Sequence, residues 1–170
     1  MRAGVTSRSG KDLRMTFTHR YDVHCSWSGS TGSGYERYGR AHEASNGQAR
    51  LAISADPALR GEASAWNPEE LIVLAAASCQ LLSFLAVAAR ARLDVVGYED
   101  DAVGEMPEDD PPVRLTRIRL RPRIAFGGPV DEARVRRLVE LAHRECYVAN
   151  SLRTAVDVEP TIITPPAGDG

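Results

Sequence analysis

The 170-residue sequence has little cysteine and almost no lysine. Its three cysteines, Cys25, Cys79 and Cys146, are too few for the disulfide framework of a small secreted domain. Lys11 is the only lysine, so arginine supplies nearly all of the positive charge. The formal net charge is only −2, which argues against a broad basic surface of the kind that binds nucleic acid.

An apolar segment is missing from the first residues but present further along the chain. Residues 1–11 are polar and lack the apolar core of a secretory signal, so we expect a cytoplasmic protein. Residues 71–89 are nearly all apolar but include Ser78, Gln80 and Ser83, and the centre of a soluble protein also contains such helices. We therefore predict no membrane partner and a single domain over residues 1–170, with a core over about residues 12–164.

Extended segments are predicted on both sides of this apolar stretch. Asn46 and Gly47 form a strong turn signal, which predicts a β-hairpin. In residues 113–126, apolar side chains alternate with four arginines, so one face of this strand should be buried. The predicted strands cover residues 15–18, 21–27, 35–44, 48–54, 94–106, 113–126 and 154–164, the last of them interrupted at Pro160.

Two helices complete an α+β domain. Asn67 is placed to cap the first helix, Pro68 suits its first position, and Glu70 is placed to close a capping box. This helix should run to about Arg92. A second helix should begin near Asp131 and end close to Cys146, with one apolar stripe formed by Val135, Leu138, Val139 and Ala142.

Cys79 lies in the middle of the first helix, and Cys146 lies at or just beyond the end of the second. From the pattern alone, a cysteine in either place is more often a buried structural residue than a reactive one. A functional cysteine pair in a cytoplasmic protein is more often redox-active or metal-binding than structural. A zinc site formed by Cys79, Cys146 and His143 lacks a Cys-x-x-Cys pair, so we predict no metal.

Two groups of residues resemble the signatures of the OsmC/Ohr family. Asn67-Pro68-Glu69-Glu70-Leu71, followed eight residues later by Cys79, is similar to the first signature. Ala142-His143, Cys146 and then residues 149–152 are similar to the second. The resemblance covers roughly residues 35–158. It departs at Tyr147, where the family signature has proline, and at Gln80, where a related branch often has histidine.

The resemblance implies an OsmC-like fold with antiparallel sheets, two long helices and an intertwined homodimer. It also implies a thiol-dependent peroxidase acting on organic hydroperoxides in oxidative-stress defence. Cys79 would be the attacking thiolate, and Cys146 would trap the resulting sulfenic acid as a disulfide. No bound cofactor is implied, but an external dithiol or protein reductant must restore the thiols.

The resemblance also implies a cation beside the sulfur. Arg60 is the best match to the family arginine, and Glu69 matches the glutamate that orients it. Arg40 is an alternative, because one branch takes its arginine from an earlier loop. Glu69 and Cys79 are ten positions apart on one helix, about 15 Å, so a single subunit cannot bring them together. An interface site in a homodimer would resolve this difficulty.

A second function remains open at this point. The same fold could serve a non-catalytic protein that binds a small molecule in an apolar cleft between subunits. Peroxide-dependent loss of free thiols separates the two readings. The roles of Cys25 and His143 also stay open.

Overall fold

The computed structural model describes residues 18–165 and has an α+β architecture. Within these residues, three helices lie with nine strands that form three three-stranded sheets. The strand predicted at residues 15–18 falls almost wholly outside the described residues. The helices are α1 (Pro68–Arg90), α2 (Glu132–Arg144) and α3 (Tyr147–Ser151).

The first sheet is the predicted hairpin with one added strand. β1 (His24–Ser26), β2 (His42–Ser45) and β3 (Arg50–Ile53) pair antiparallel in that order. At the turn, Asn46 Oδ1 accepts hydrogen bonds from the main-chain N–H groups of Gln48 and Ala49, at 3.1 and 2.8 Å. Gly47 has a φ of 89°, which a residue with a side chain rarely adopts. The hairpin is confirmed, but β1 and β2 are both shorter than the strands predicted over residues 21–27 and 35–44.

α1 begins at the capping box predicted from the sequence, and a residue in the left-handed conformation follows its end. Asn67 Oδ1 accepts from the Glu70 N–H at 2.8 Å, and Glu70 Oε2 accepts from the Asn67 N–H at 3.1 Å, which is the predicted capping box. The helix ends at Arg90, slightly before the predicted Arg92. Arg92 has a φ of 58°, so it lies in the left-handed region and cannot continue the helix.

The two longest predicted strands are each divided in two, which corrects the sequence-based boundaries. Residues 94–106 form β4 (Val95–Asp100) and β5 (Val103–Glu105), while residues 113–126 form β6 (Arg117–Leu120) and β7 (Pro122–Phe126). The break between β6 and β7 falls at Arg121. Its N–H donates to the Asp100 carboxylate at 2.7 Å instead of to a strand. The chain therefore passes from one sheet to another at this residue.

The last strand also divides, at the predicted Pro160, into β8 (Ala155–Val158) and β9 (Thr161–Ile163). β8 pairs with β6 and β9 pairs with β7, both in parallel. The expectation of antiparallel sheets is therefore wrong for these two pairings, although the other four are antiparallel. The physical reason is the connection through α2 and α3, since parallel neighbours need a long crossover.

The core lies between the inner face of α1, α2 and the strand β7. The predicted alternation is confirmed over residues 117–126. Arg117, Arg121 and Arg123 are exposed and Arg119 is half-buried, while the opposite face is buried and consists of Ile118, Leu120, Ile124 and Phe126. The predicted stripe of α2 is also buried, apart from the partly buried Leu138. One buried cluster contains Phe84, Val87, Ala88, Ile124, Phe126, Val135, Val139 and Ala142. A second contains Ala76, Ile118 and Leu120.

The outer face of α1 has no protein cover within the described chain. This helix has the length and composition to cross a membrane, with a mean hydropathy of 2.3 over its most apolar window, of which 28% is buried. One helix of this kind is weak support for a membrane span, because the central helix of a soluble protein meets the same criterion. Its exposed large apolar residues are Ile72, Leu74, Leu82 and Leu85.

Candidate active site

The short helix α3 brings the two distant cysteines together. Cys146 follows α2 and serves as the N-cap of α3, with its sulfur accepting from the Ala149 N–H at 3.5 Å. Val148 of α3 and Leu152, which follows α3 as its C-cap, pack on the buried cluster around Ala76 of α1. The small side chain of Ala76 lets α3 approach α1 one turn before Cys79. As a result, the Val148 N–H lies 3.5 Å from the Cys79 sulfur.

Cys79 is a half-buried thiol surrounded by hydrogen-bond donors. Burial raises its pKa, but the Val148 N–H donates to its sulfur at 3.5 Å, and the neighbouring Cys146 thiol, Tyr147 N–H and Ser83 hydroxyl also lower the pKa. Their sum outweighs burial, so the pKa of Cys79 lies below its ordinary value. A lowered pKa increases the fraction of thiolate, which is the nucleophilic form.

Cys146 shows the opposite behaviour. Its side chain is only 1% exposed, and burial together with the neighbouring Cys79 raises its pKa to about 11. Cys146 is therefore a neutral thiol near pH 7, and it donates its hydrogen to the sulfur of Cys79. Both cysteines are free thiols in direct interaction. They are arranged as a low-pKa nucleophile backed by a protonated partner.

The Cys79 sulfur opens into a cavity of about 720 Å³. Apolar side chains of α1, with Leu82 the largest, form one wall, and Tyr147 and Val148 of α3 form another. Two guanidinium groups also line the cavity, those of Arg90 and Arg144. Arg90 is 3.7 Å from Glu145, in an exposed ion pair of little energetic weight. The cavity therefore joins a nucleophilic sulfur to an apolar wall and positive charge.

The loop over residues 56–61, which holds Arg60, has a main-chain conformation that is uncommon for residues with side chains. Asp56 accepts from the Ala58 N–H at 2.7 Å, and Arg60 has a φ of 67°, which is uncommon for a residue other than glycine. Gly61 lies so close to the Ala55 carbonyl that a Cβ would stand 1.6 Å from its oxygen. The side chain of Arg60 forms an ion pair with Glu36.

Neither predicted arginine lines the Cys79 cavity of its own chain. Arg40 is stacked between Tyr35 and Tyr38, with its guanidinium carbon 4.9 and 4.0 Å from their ring centres, and it donates to both of their carbonyl oxygens. Glu69 lines separate cavities at the start of α1. Within one chain the structure thus brings Cys79 and Cys146 together, but not Arg60, Arg40 or Glu69.

Other sequence candidates lie apart from this cavity. His143 lines a different cavity with Asp157 and Pro160. Gln80 points to the core side of α1, where its amide nitrogen lies 3.4 Å from the Val139 carbonyl oxygen. Cys25 is exposed on β1. Over residues 18–165, no group of three or more His, Cys, Asp or Glu side chains is arranged to hold a metal ion.

Sequence reasoning missed Arg90, Arg144 and the N–H donors of α3. Arg90 had a readable signal, because positions 79, 83, 86 and 90 fall on one face of a helix and line one cavity. The N–H donors had no signal in the sequence. Their positions depend on α3, and a helix of five residues is too short to show a periodic pattern.

The architecture and the neighbouring thiols define an α+β protein with a two-cysteine centre between its central helix α1 and the start of α3. Residues 61–161 match the family model described as OsmC-like protein, and the chain belongs to that family. The fold is accordingly the OsmC-like fold.

Similar proteins agree with this assignment. The organic hydroperoxide resistance protein of Xanthomonas axonopodis pv. citri is 29% identical over 134 residues, which cover 70% of this chain and 89% of that protein. An OsmC-like protein of unknown function from Vibrio cholerae is 28% identical with a TM-score of 0.78, covering 85% of this chain and 100% of the other. An organic hydroperoxide resistance protein from Elizabethkingia anophelis has a TM-score of 0.64 at 19% identity, covering 88% and 100%, and shows the shared fold.

Proposed function

We propose that this chain is a thiol-dependent peroxidase that reduces organic hydroperoxides, with Cys79 as the attacking sulfur and Cys146 as the resolving sulfur. The observation that carries the proposal is that consecutive main-chain N–H groups of α3, those of Val148 and Ala149, contact the sulfurs of Cys79 and Cys146, each at 3.5 Å. The opposite pKa shifts of the two thiols agree with it. The name of the Xanthomonas relative supports the same class of substrate.

The proposed catalytic cycle passes through a sulfenic acid and a disulfide before an external reductant restores both thiols. The Cys79 thiolate attacks one oxygen of the hydroperoxide, the O–O bond breaks, and the alkoxide takes up a proton to leave as an alcohol. Cys79 is then a sulfenic acid, oxidised by two electrons. Cys146 attacks this sulfur, the S–S bond forms, and the oxygen leaves as water. An external dithiol or protein reductant then exchanges with the Cys79–Cys146 disulfide and is itself oxidised.

The cavity supports an organic rather than an inorganic peroxide. Its wall of Leu82 and alanine side chains accommodates an apolar group of the substrate, while hydrogen peroxide has nothing to place there. Arg90 and Arg144 line the same cavity, and positive charge there would favour negative charge on the leaving oxygen.

We further propose that the active form is a homodimer and that Arg60, oriented by Glu69, reaches the sulfur of the partner chain. The uncovered apolar residues of α1 support the first part, because a second copy would remove them from water. The placement of Arg60 and Glu69 away from the Cys79 cavity of their own chain is compatible with the second. A charged substitution at Leu85, exposed on α1, should lower the molar mass measured by light scattering to that of a monomer.

A single titration tests the peroxidase assignment. Reduced protein is mixed with tert-butyl hydroperoxide, free thiols are counted, and the disulfide is located by non-reducing peptide mass spectrometry. Loss of two thiols as a Cys79–Cys146 disulfide, with Cys25 still free, is expected. If all three thiols survive an excess of hydroperoxide, the proposal fails and a non-catalytic protein that binds small molecules in the same cavity replaces it. Activity is expected in the reducing cytoplasm, where dithiol reductants are available.

A further inference from the structure

The aromatic ring of Tyr147 lies exposed on the wall of the Cys79 cavity. Tyr147 is the first residue of α3, it lines this cavity, and it is 82% exposed. The ring pairs within residues 18–165 are formed by other aromatic residues, so no ring of the described chain stacks on Tyr147. A tyrosine ring buries a large apolar area when it finds a partner. The reactive cavity therefore presents an aromatic surface that this chain leaves uncovered.

The main chain holds Tyr147 at a fixed place beside the reacting sulfur. The Ser151 hydroxyl donates to the Tyr147 carbonyl oxygen at 2.7 Å, and Val148 packs on the buried cluster of α1. The Val148 N–H, one residue further along the chain, lies 3.5 Å from the Cys79 sulfur. Consecutive Cα atoms are about 3.8 Å apart, so Tyr147 is anchored close to this contact. An organic group on a hydroperoxide at the sulfur comes within reach of the ring.

A second large apolar side chain lines the cavity from α1. Leu82 follows Cys79 by three residues, on the same face of the helix, and it is 63% exposed. The α1 residues around it in the cavity wall are alanines and serines. The cavity, at about 720 Å³, is in the size range of sites for drug-sized ligands, and a tert-butyl group fills only a small part of it. The space suits a hydroperoxide with a larger apolar group.

We propose that Tyr147 is a specificity-determining residue that selects aryl hydroperoxides, in which an aromatic ring lies close to the O–O group. The proposal rests on the peroxidase function above. The substrate ring packs against the ring of Tyr147, and Leu82 supplies aliphatic contact. An aromatic pair gains about threefold to tenfold in affinity beyond the effect of its buried area. Tyr147 takes no part in electron or proton transfer, so the chemistry at Cys79 is the same for every hydroperoxide.

The charged groups of the cavity do not produce this selectivity. Arg90, Arg144 and Glu145 also line it, but aryl and alkyl hydroperoxides are both neutral. The charges act on the departing oxygen, which both kinds of substrate share. A selectivity between the two must come from the apolar part of the wall, where Tyr147 is the one aromatic residue among the described residues that line the cavity.

The test measures a selectivity ratio. kcat/KM is determined for cumene hydroperoxide and for tert-butyl hydroperoxide, with dithiothreitol as the reductant, and the ratio of the two values is compared with that of the wild type. This comparison cancels the intrinsic reactivity of each substrate and any general change at Cys79. Tyr147→Leu keeps an apolar side chain but removes the ring, and its ratio should fall about threefold to tenfold. Tyr147→Phe keeps the ring and should retain the wild-type ratio.

Two controls accompany these variants. Tyr21→Leu removes a tyrosine that is equally exposed but lies outside the cavity, and it should retain the wild-type ratio. Alkylation of Cys79 by iodoacetamide should proceed at the wild-type rate in Tyr147→Leu, because leucine keeps the main-chain N–H at this position. Light scattering verifies that the oligomeric state is that of the wild type.

A third substrate separates aromatic recognition from size. 2-Cyclohexylpropan-2-yl hydroperoxide has the same carbon skeleton as cumene hydroperoxide with a saturated ring. The wild type should prefer cumene hydroperoxide to this analogue, and Tyr147→Leu should remove the difference.

The role of Tyr147 is rejected if Tyr147→Leu keeps the wild-type ratio, which includes an equal slowing with both substrates. It is also rejected if Tyr147→Phe lowers the ratio as much as Tyr147→Leu does, because the hydroxyl and not the ring would then be responsible. If the wild type consumes neither hydroperoxide, the peroxidase proposal fails instead.

Discussion

Cys79 and Cys146 lie beside each other at the start of α3 but face different surroundings. Cys79 opens into a cavity and accepts hydrogen bonds from two main-chain N–H groups, a hydroxyl and a thiol. Cys146 is buried on the core side, where burial and the neighbouring Cys79 raise its pKa and keep its thiol protonated. The pKa of the cysteine thiol is therefore lowered at position 79 and raised at position 146, although the two residues are close neighbours.

This contrast shows how one hydrogen bond serves two purposes. The thiol of Cys146 donates to Cys79, which stabilises the thiolate there and keeps Cys146 from competing as a nucleophile. The order of events follows: Cys79 reacts with the oxidant first, and Cys146 reacts only after an electrophilic sulfur has formed beside it. Substitutions at the two positions should therefore block different steps of the reaction.

Replacing each cysteine by serine should give the largest effects. Cys79→Ser should abolish hydroperoxide turnover, because no other sulfur in the cavity carries a lowered pKa. Cys146→Ser should still consume one equivalent of hydroperoxide and then accumulate sulfenic or more oxidised Cys79, since no partner thiol traps it. Mass spectrometry of the intact protein after stepwise addition of tert-butyl hydroperoxide distinguishes the two.

Cys25→Ser is the control for this pair, because Cys25 is exposed on β1 and lies outside the cavity. It should turn over at the wild-type rate. If Cys79→Ser keeps its activity while Cys146→Ser loses it, the assignment of the two roles is reversed.

Removing the guanidinium of Arg60 should have the next largest effect. If Arg60 of one chain meets Cys79 of another, Arg60→Ala should lower kcat/KM for the hydroperoxide about 10²-fold through loss of charge stabilisation at the departing oxygen. Arg20→Ala, at an exposed arginine that pairs with Asp22, is the matched control. Steady-state assays of both variants, with light scattering to verify the oligomeric state, provide the measurement.

Arg40→Ala decides between the two candidate arginines. Arg40 is held by two tyrosine rings and two carbonyl oxygens, which favours a structural part in its loop. Loss of activity in Arg40→Ala, together with full activity in Arg60→Ala, would transfer the cation role to Arg40.

Local sequence signals predicted the elements well, because each depends on neighbouring residues. The capping box of Asn67 and Glu70 and the hairpin at Asn46 and Gly47 are observed as expected. The alternation around Ile118 and Ile124 also predicted burial correctly. It could not reveal that the chain changes sheet at Arg121, because that break depends on Asp100, 21 positions away.

The candidate site was less accessible to sequence reasoning. The pairing of Cys79 with Cys146 came from the resemblance to a family, since nothing in their spacing fixes a distance between the sulfurs. The donors on Cys79 belong to α3, which has five residues and no periodic pattern. Arg144 lies just beyond the apolar stripe of α2, and only the packing of α3 on α1 shows that it lines the cavity.

Tyr147 connects the departure from the family signature with the chemistry of Cys79. A proline at this position has no N–H, whereas the Tyr147 N–H contributes to the lowered pKa of Cys79. Proline is well accommodated at the first position of a helix, so Tyr147→Pro should fold. The Cys79 pKa should rise, and alkylation by iodoacetamide at pH 7 should slow about threefold to tenfold. Tyr147→Ala keeps the N–H and should retain the wild-type pKa, which separates the main-chain effect from loss of the ring.

Neutralising Arg144 should give the smallest effect. It tests whether positive charge in the cavity affects the reactivity of Cys79, the cysteine that faces the cavity. Arg144→Gln removes positive charge from the cavity but leaves the N–H donors on Cys79 in place. Because Arg144 is exposed and salt screens it, reaction of Cys79 with anionic iodoacetate should slow only about twofold to threefold at low salt. Reaction with neutral iodoacetamide should change less, since that reagent carries no charge for the guanidinium to attract. Equal slowing with both reagents would mean that Arg144 acts on the cavity through packing, and the difference should disappear at 1 M salt if its charge is responsible.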